Sequence, residues 1–126
     1  MFERIVVGVT RERTAKEAVG LALQVAAVFD AELHVVTAFD DKHDAAAADR
    51  AAAMLDSLEM SSGRPMEVHS QPGDPATVIC DVAREVGADL IVVGNKGLAA
   101  SSRWSKSVPG EITRTAPCSV LVLDTV

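Results

Sequence analysis

The chain has 126 residues, a formal net charge of −6, two cysteines and only 3% aromatic residues. This is the length of one domain, spanning 1–126, with enough chain to bury a real core. The acidic balance excludes a general nucleic-acid binder, whose phosphate contacts need a basic field. The aromatics are Phe2, Phe29, Phe39 and Trp104, so the stacking platforms of single-strand binders are missing as well. Alanine and valine fill the apolar quota, and elements built from them should pack closely. No apolar run approaches the roughly 18–20 residues of a membrane span. Met1-Phe2-Glu3-Arg4 leads straight into a strand pattern without the layout of a signal peptide, so the expected compartment is the cytoplasm.

In chain order, Ile5-Val6-Val7-Gly8-Val9 is a continuous apolar run, as expected for a strand covered on both faces. Thr14 to Phe29 turns helical, with Ala15, Ala18, Val19, Ala22, Val25, Ala26 and Phe29 at three- and four-residue spacing. Thr14 with Glu17 reads as a capping box. Leu33 to Phe39 is the second strand, and the alanine-rich stretch from Asp44 to Met60 is a helix. Ser61-Ser62-Gly63-Arg64-Pro65 breaks it. Met66 to Ser70 alternates as a third strand, and Gln71-Pro72-Gly73 reads as a turn. Asp74-Pro75 then opens a helix, with Asp at the N-cap and Pro at the first helical position. That helix stops at Gly87, a left-handed C′ position. Leu90 to Val93 is the fourth strand, a glycine- and serine-containing loop follows, and a short helix runs from about Pro109 to Thr115. Val120 to Leu123 is the fifth strand. Alternating β and α at this spacing predicts a parallel, doubly wound sheet. Ligands bind such sheets at the carboxyl ends of the strands, near the switch in strand order.

That rule directs attention to Thr10, Ala38 and the segment after Val93. Residues 94–110 contain glycines at 94 and 97 that let a backbone approach a ligand. Free N–H groups around Ser107 and Val108, at the start of a helix, suit an anion. No acid occurs between Asp89 and Glu111, whereas Lys96, Arg103 and Lys106 do, and Arg11 and Arg13 follow the first strand. An acidic chain thus keeps a basic rim at its expected ligand site, and phosphate is the matching chemistry. The alternative is a solvated loop in which Gly94 and Gly97 serve only as turn residues.

Leu90-Ile91-Val92-Val93-Gly94-Asn95-Lys96-Gly97-Leu98, then Ser107-Val108-Pro109 and Ala116-Pro117-Cys118-Ser119-Val120-Leu121-Val122, resemble the C-terminal signature of the universal stress protein family. Gly73-Asp74-Pro75 and the order of elements match it too. The resemblance covers essentially the whole chain. It implies a three-layer α/β/α fold of the adenine nucleotide alpha hydrolase-like type, with a five-stranded parallel sheet of order 3-2-1-4-5. It also implies a homodimer paired along the last strand, through Val120, Leu121, Val122 and Leu123. Family members that bind ATP resemble Gly-x2-Gly-x9-Gly-Ser/Thr and carry an aspartate just after the first strand. Gly94 and Gly97 match the first half of that pattern. Aligned on Ser107-Val108-Pro109, Lys106 stands at the third glycine and Ser107 at the serine; an ungapped alignment places Ser107 and Val108 there. Thr10 occupies the aspartate position. The nucleotide-binding residues implied are Gly8, Val9, Thr10, Ala38, Gly94, Asn95, Gly97, Lys106, Ser107 and Val108, with ATP or another adenine nucleotide as the ligand.

Other side chains carry weaker signals. His34, His43 and His69 lack a metal-ligand spacing, so satisfied or solvated histidines are expected, with no metal. Cys80 and Cys118 stand far apart without a CxxC, which predicts neither a disulfide framework nor a zinc site. Cys80 reads as a packing residue. Trp104 anchors its loop or belongs to a contact surface. Asp44, Asp49, Asp56 and Glu59 read as a solvated helix face. No GxSxG elbow, HExxH or GxxxxGK[ST] occurs, so no enzymatic activity and no catalytic residue are expected. Two functions remain open. One is a dimeric stress-response interaction protein, with weak or lost nucleotide binding and an unidentified protein partner. The other is an adenine-nucleotide sensor built on Gly94, Gly97 and Ser107.

Overall fold

Five parallel strands in the order β3-β2-β1-β4-β5 form the centre of the computed structural model. The description covers residues 1–9, 12–39, 46, 49, 52–53, 56–57, 65–96 and 108–125; at 12–15, 95–96 and 125 it covers the backbone alone. In chain order the elements are β1 (Arg4–Val9), α1 (Glu12–Phe29), β2 (Glu32–Phe39), β3 (Glu67–Pro72), α2 (Pro75–Val86), β4 (Leu90–Lys96), α3 (Val108–Thr115) and β5 (Ser119–Thr125). Of the helix expected over 44–60, Asp49, Ala52, Ala53, Asp56 and Ser57 are described and helical. Asp49 and Asp56 are exposed, as a solvated face requires.

The central strands are apolar throughout because both sheet faces are covered, and alternate residues serve opposite layers. Ile5, Val7, Leu33, Val35 and Val92 pack with Ala18, Ala22 and Ala26 of α1. Val6, Val36, Ile91 and Val93 face the other way, against Ile79, Val82 and Ala83 of α2 and Ile112 of α3. The alanines let α1 lie close to the sheet, and Phe2 closes its far end edge-on to Phe29, ring centroids 5.3 Å apart. No helix among the described residues is long and apolar enough to cross a membrane.

Several element ends differ from the sequence expectation. Helix α1 begins at Glu12, so Thr14 lies inside its first turn rather than at the N-cap. Gln71 and Pro72 belong to β3, opposite Ala38 and Phe39. The strand is at the sheet edge, where the missing proline N–H need cost no ladder bond. The turn moves on to Gly73, whose φ of 136° favours glycine and whose N–H donates to the Phe39 carbonyl at 3.0 Å. Strand β4 extends three residues beyond Val93, because β5 is long enough to pair Gly94 with Leu123, Asn95 with Asp124 and Lys96 with Thr125. The caps of α2 are as read: Asp74 accepts from the Thr77 N–H at 3.1 Å, and Gly87 takes the left-handed conformation.

Candidate functional site

The switch in strand order falls between β1 and β4, which run side by side with Gly8 opposite Val93. Strand β1 ends at Val9, whereas β4 continues to Lys96 at the carboxyl end of the sheet, where the switch-point rule places a ligand crevice. Helix α3 starts at Val108, half-buried against the core under α2. Gly8 and Val9 are the last two residues of β1. A Cβ on Gly8 would stand 2.5 Å from Cδ1 of Ile79, so close packing of α2 accounts for that glycine. The Val9 side chain is buried beneath α1, and its carbonyl accepts the Thr37 hydroxyl at 2.9 Å. Ala38 and Gly94 are half-buried near the carboxyl ends of β2 and β4, the two strands that flank β1. Asn95 lies in β4 rather than in the expected loop. Thr10, Gly97, Lys106 and Ser107 lie outside the described residues, as do Arg11, Arg103 and Trp104.

At the opposite, amino-terminal end of the sheet, the structure assembles a group that the sequence reading kept apart. His34 of β2 stands opposite Glu67 of β3, and Val36 stands opposite His69. A two-residue period therefore places His34, Glu67 and His69 on one face. His34 Nδ1 is 3.1 Å from His69 Nε2 and 3.4 Å from Glu67 Oε2. The His34 side chain is only 5% exposed, and its Nε2 has no hydrogen-bond partner. The nearest carboxylate, Glu32 Oε2, lies 3.6 Å from Nε2, beyond hydrogen-bond length but within ion-pair reach. The expectation of a satisfied histidine thus holds for His34 at Nδ1 and not at Nε2. Burial, then the neighbouring His34, lowers the pKa of His69, against opposing contributions from Glu67 and Glu85. Alternation over Met66 to Ser70 is readable in the sequence; the register between β2 and β3 is not.

Strand β5 is the outer strand beyond β4. Val120 and Val122 turn toward the core under α2 and α3, while Leu121 is 39% exposed. Cys118 precedes this strand, half-buried, and burial followed by Asp89 and Cys80 pushes its thiol up from the ordinary value. Cys80 is buried in α2, with Sγ 3.5 Å from Thr115 Oγ1, as a packing residue would be.

Comparison with known proteins gives a consistent set of matches. The model of the Universal stress protein family matches residues 1–124. Universal stress protein Rv1636 of Mycobacterium tuberculosis is 30% identical over 146 residues, covering 98% of this chain and 97% of the relative. The crystal structure of a universal stress protein in complex with cAMP is 26% identical, with a TM-score of 0.75 over 99% of this chain and 98% of that one. UspA from Lactobacillus plantarum superposes with a TM-score of 0.79 at 24% identity, over 96% of this chain and 97% of its own.

Proposed function

The chain belongs to the universal stress protein family, and from that premise we propose that it is a dimeric, non-enzymatic regulator whose β1–β4 crevice holds an adenine nucleotide weakly. Family membership carries the stress-response role. The observation that supports a nucleotide is the position of Gly94 on a β4 that outruns β1 at the switch point. A relative sharing 26% of its residues has been crystallised with cAMP. Weakness follows from chemistry. Thr10 offers a hydroxyl where nucleotide-binding relatives place a carboxylate, and a neutral acceptor holds adenosine donors less strongly than a charged one. Lys106 replaces a glycine, trading backbone approach for a positive charge that suits phosphate.

A second reading, a nucleotide-independent interaction protein, is favoured by Gly8, whose smallness is already accounted for by Ile79. Calorimetric titration with cAMP, AMP and ATP separates the two. The proposal expects a Kd on the order of 0.1–1 mM for at least one of them. It expects at least about tenfold tighter binding by the Thr10→Asp/Lys106→Gly double variant. Absence of binding by both proteins establishes the second reading. Submicromolar binding by the unaltered chain overturns the weak site.

A further inference from the structure

We propose that His34, Glu67 and His69 form a binding site for one divalent transition-metal ion of the zinc class, at the end of the sheet opposite the nucleotide crevice. Zinc bound at 2.0–2.2 Å to nitrogen and oxygen in a tetrahedron separates its donor atoms by about 3.3 Å. The two closest separations here are 3.1 Å, between His34 Nδ1 and His69 Nε2, and 3.4 Å, between His34 Nδ1 and Glu67 Oε2. All three donor atoms lie within 4.8 Å of one another. Small adjustments of Glu67, whose side chain is 68% exposed, complete the triangle around an ion. Two imidazoles and one carboxylate suit zinc and its late first-row neighbours, whereas magnesium and calcium prefer oxygen donors throughout.

The second observation is the buried Nε2 of His34. With no ion, a hydrogen bond between the imidazoles uses His34 Nδ1 and leaves Nε2 without a partner. With an ion on Nδ1, the ring takes the tautomer that carries its proton on Nε2, directed toward Glu32. Closing the present 3.6 Å gap to Glu32 Oε2 gives a carboxylate–histidine–metal arrangement, in which the outer carboxylate fixes the tautomer and raises ligand basicity. Glu32 is exposed and able to make that movement. Access exists as well: Glu32, His34 and Glu67 line a cleft of about 630 Å³, with Asp30 and Met66 also on its walls. Water entering from it fills the remaining coordination position.

The test uses the full chain, stripped with a chelator and titrated with zinc chloride against a chromophoric competitor. One equivalent should bind with a Kd of about 1 μM or lower. Cobalt in place of zinc should give the visible bands of tetrahedral coordination. His69→Gln and Glu67→Gln alter side chains outside the core, so both variants should fold, and both should lose one-to-one binding at micromolar ion. Glu32→Gln should weaken binding roughly 10–100-fold, the range for an outer-shell partner. His34→Gln is the direct variant but changes a buried group, so a failure to fold there leaves the other two decisive. Absence of stoichiometric binding by the unaltered chain overturns the proposal. So does binding that survives both His69→Gln and Glu67→Gln.

Discussion

Gly8 of β1 and Ile79 of α2 meet with no space for a methyl group between them: a Cβ on the glycine would stand 2.5 Å from Cδ1 and 3.1 Å from Cγ1 of the isoleucine. Val93 closes the other side at 3.1 Å. The strand that ends at the proposed nucleotide site is thus seated directly against the helix beneath it. Gly8→Ala should lower unfolding free energy by about 1–3 kcal/mol, the usual cost of one extra carbon in a packed core. Ile79→Val alone should cost about 0.5–1.5 kcal/mol. In the double variant the shortened side chain makes room for the new methyl, so denaturant unfolding should show a loss smaller than the sum. Strict additivity would mean that the two positions do not compete for space.

Cys118 supplies a pH-dependent prediction. Burial first, then Asp89 and Cys80, raise its thiol pKa above the ordinary 9.0. A folded value above the unfolded one means that the native state holds the proton longer. The stabilising contribution is therefore fully present below about pH 9 and lost as pH rises through the folded value. Alkylation of the native protein reports this group, since Cys80 is buried. Its rate should rise with a midpoint above 9.0, and Cys118→Ser should abolish the fast reaction. A midpoint at or below the ordinary value would show that the thiol is better solvated than its surroundings indicate.

The proposed dimer is tested at Leu121, exposed by 39% on the outermost strand. Charge on an edge strand opposes pairing with another edge. Light scattering should give a dimer mass for the unaltered chain and a monomer mass for Leu121→Lys, with the circular dichroism of the fold retained. A dimer that persists in the variant would place the interface elsewhere.

Local chemistry made the caps of α2 legible: Asp74 before Pro75, and Gly87 where a left-handed residue ends the helix. Sheet order came from the family resemblance and agrees with the structure. Strand ends were harder to read, because pairing overrides local preference. Pro72 looked like a turn residue, yet an edge strand tolerates it opposite Phe39. Gly94-Asn95-Lys96 looked like a loop until β5 supplied partners for all three. Thr14 and Glu17 matched a capping pattern while lying within a helix that begins earlier. The histidine cluster depends on the offset between β2 and β3, which are separated in sequence by a long connection, and no local spacing encodes it. Gly8 and Gly94 of the expected nucleotide site take their places from the sheet, Gly8 against Ile79 of α2 and Gly94 opposite Leu123 of β5.

Strand β3 has little apolar burial to hold its alignment: Glu67, Val68, Ser70 and Pro72 are exposed, and His69 and Gln71 only half-buried. A slip of one residue against β2 would turn Glu67 and His69 to the opposite face and set Val68 beside His34. The polar trio therefore acts as an alignment key for a strand whose hydrophobic pattern is a weak guide. Any ligand that needs His34, Glu67 and His69 together selects one register of β3 from its neighbours, and with it the position of the Gly73 turn that leads into α2.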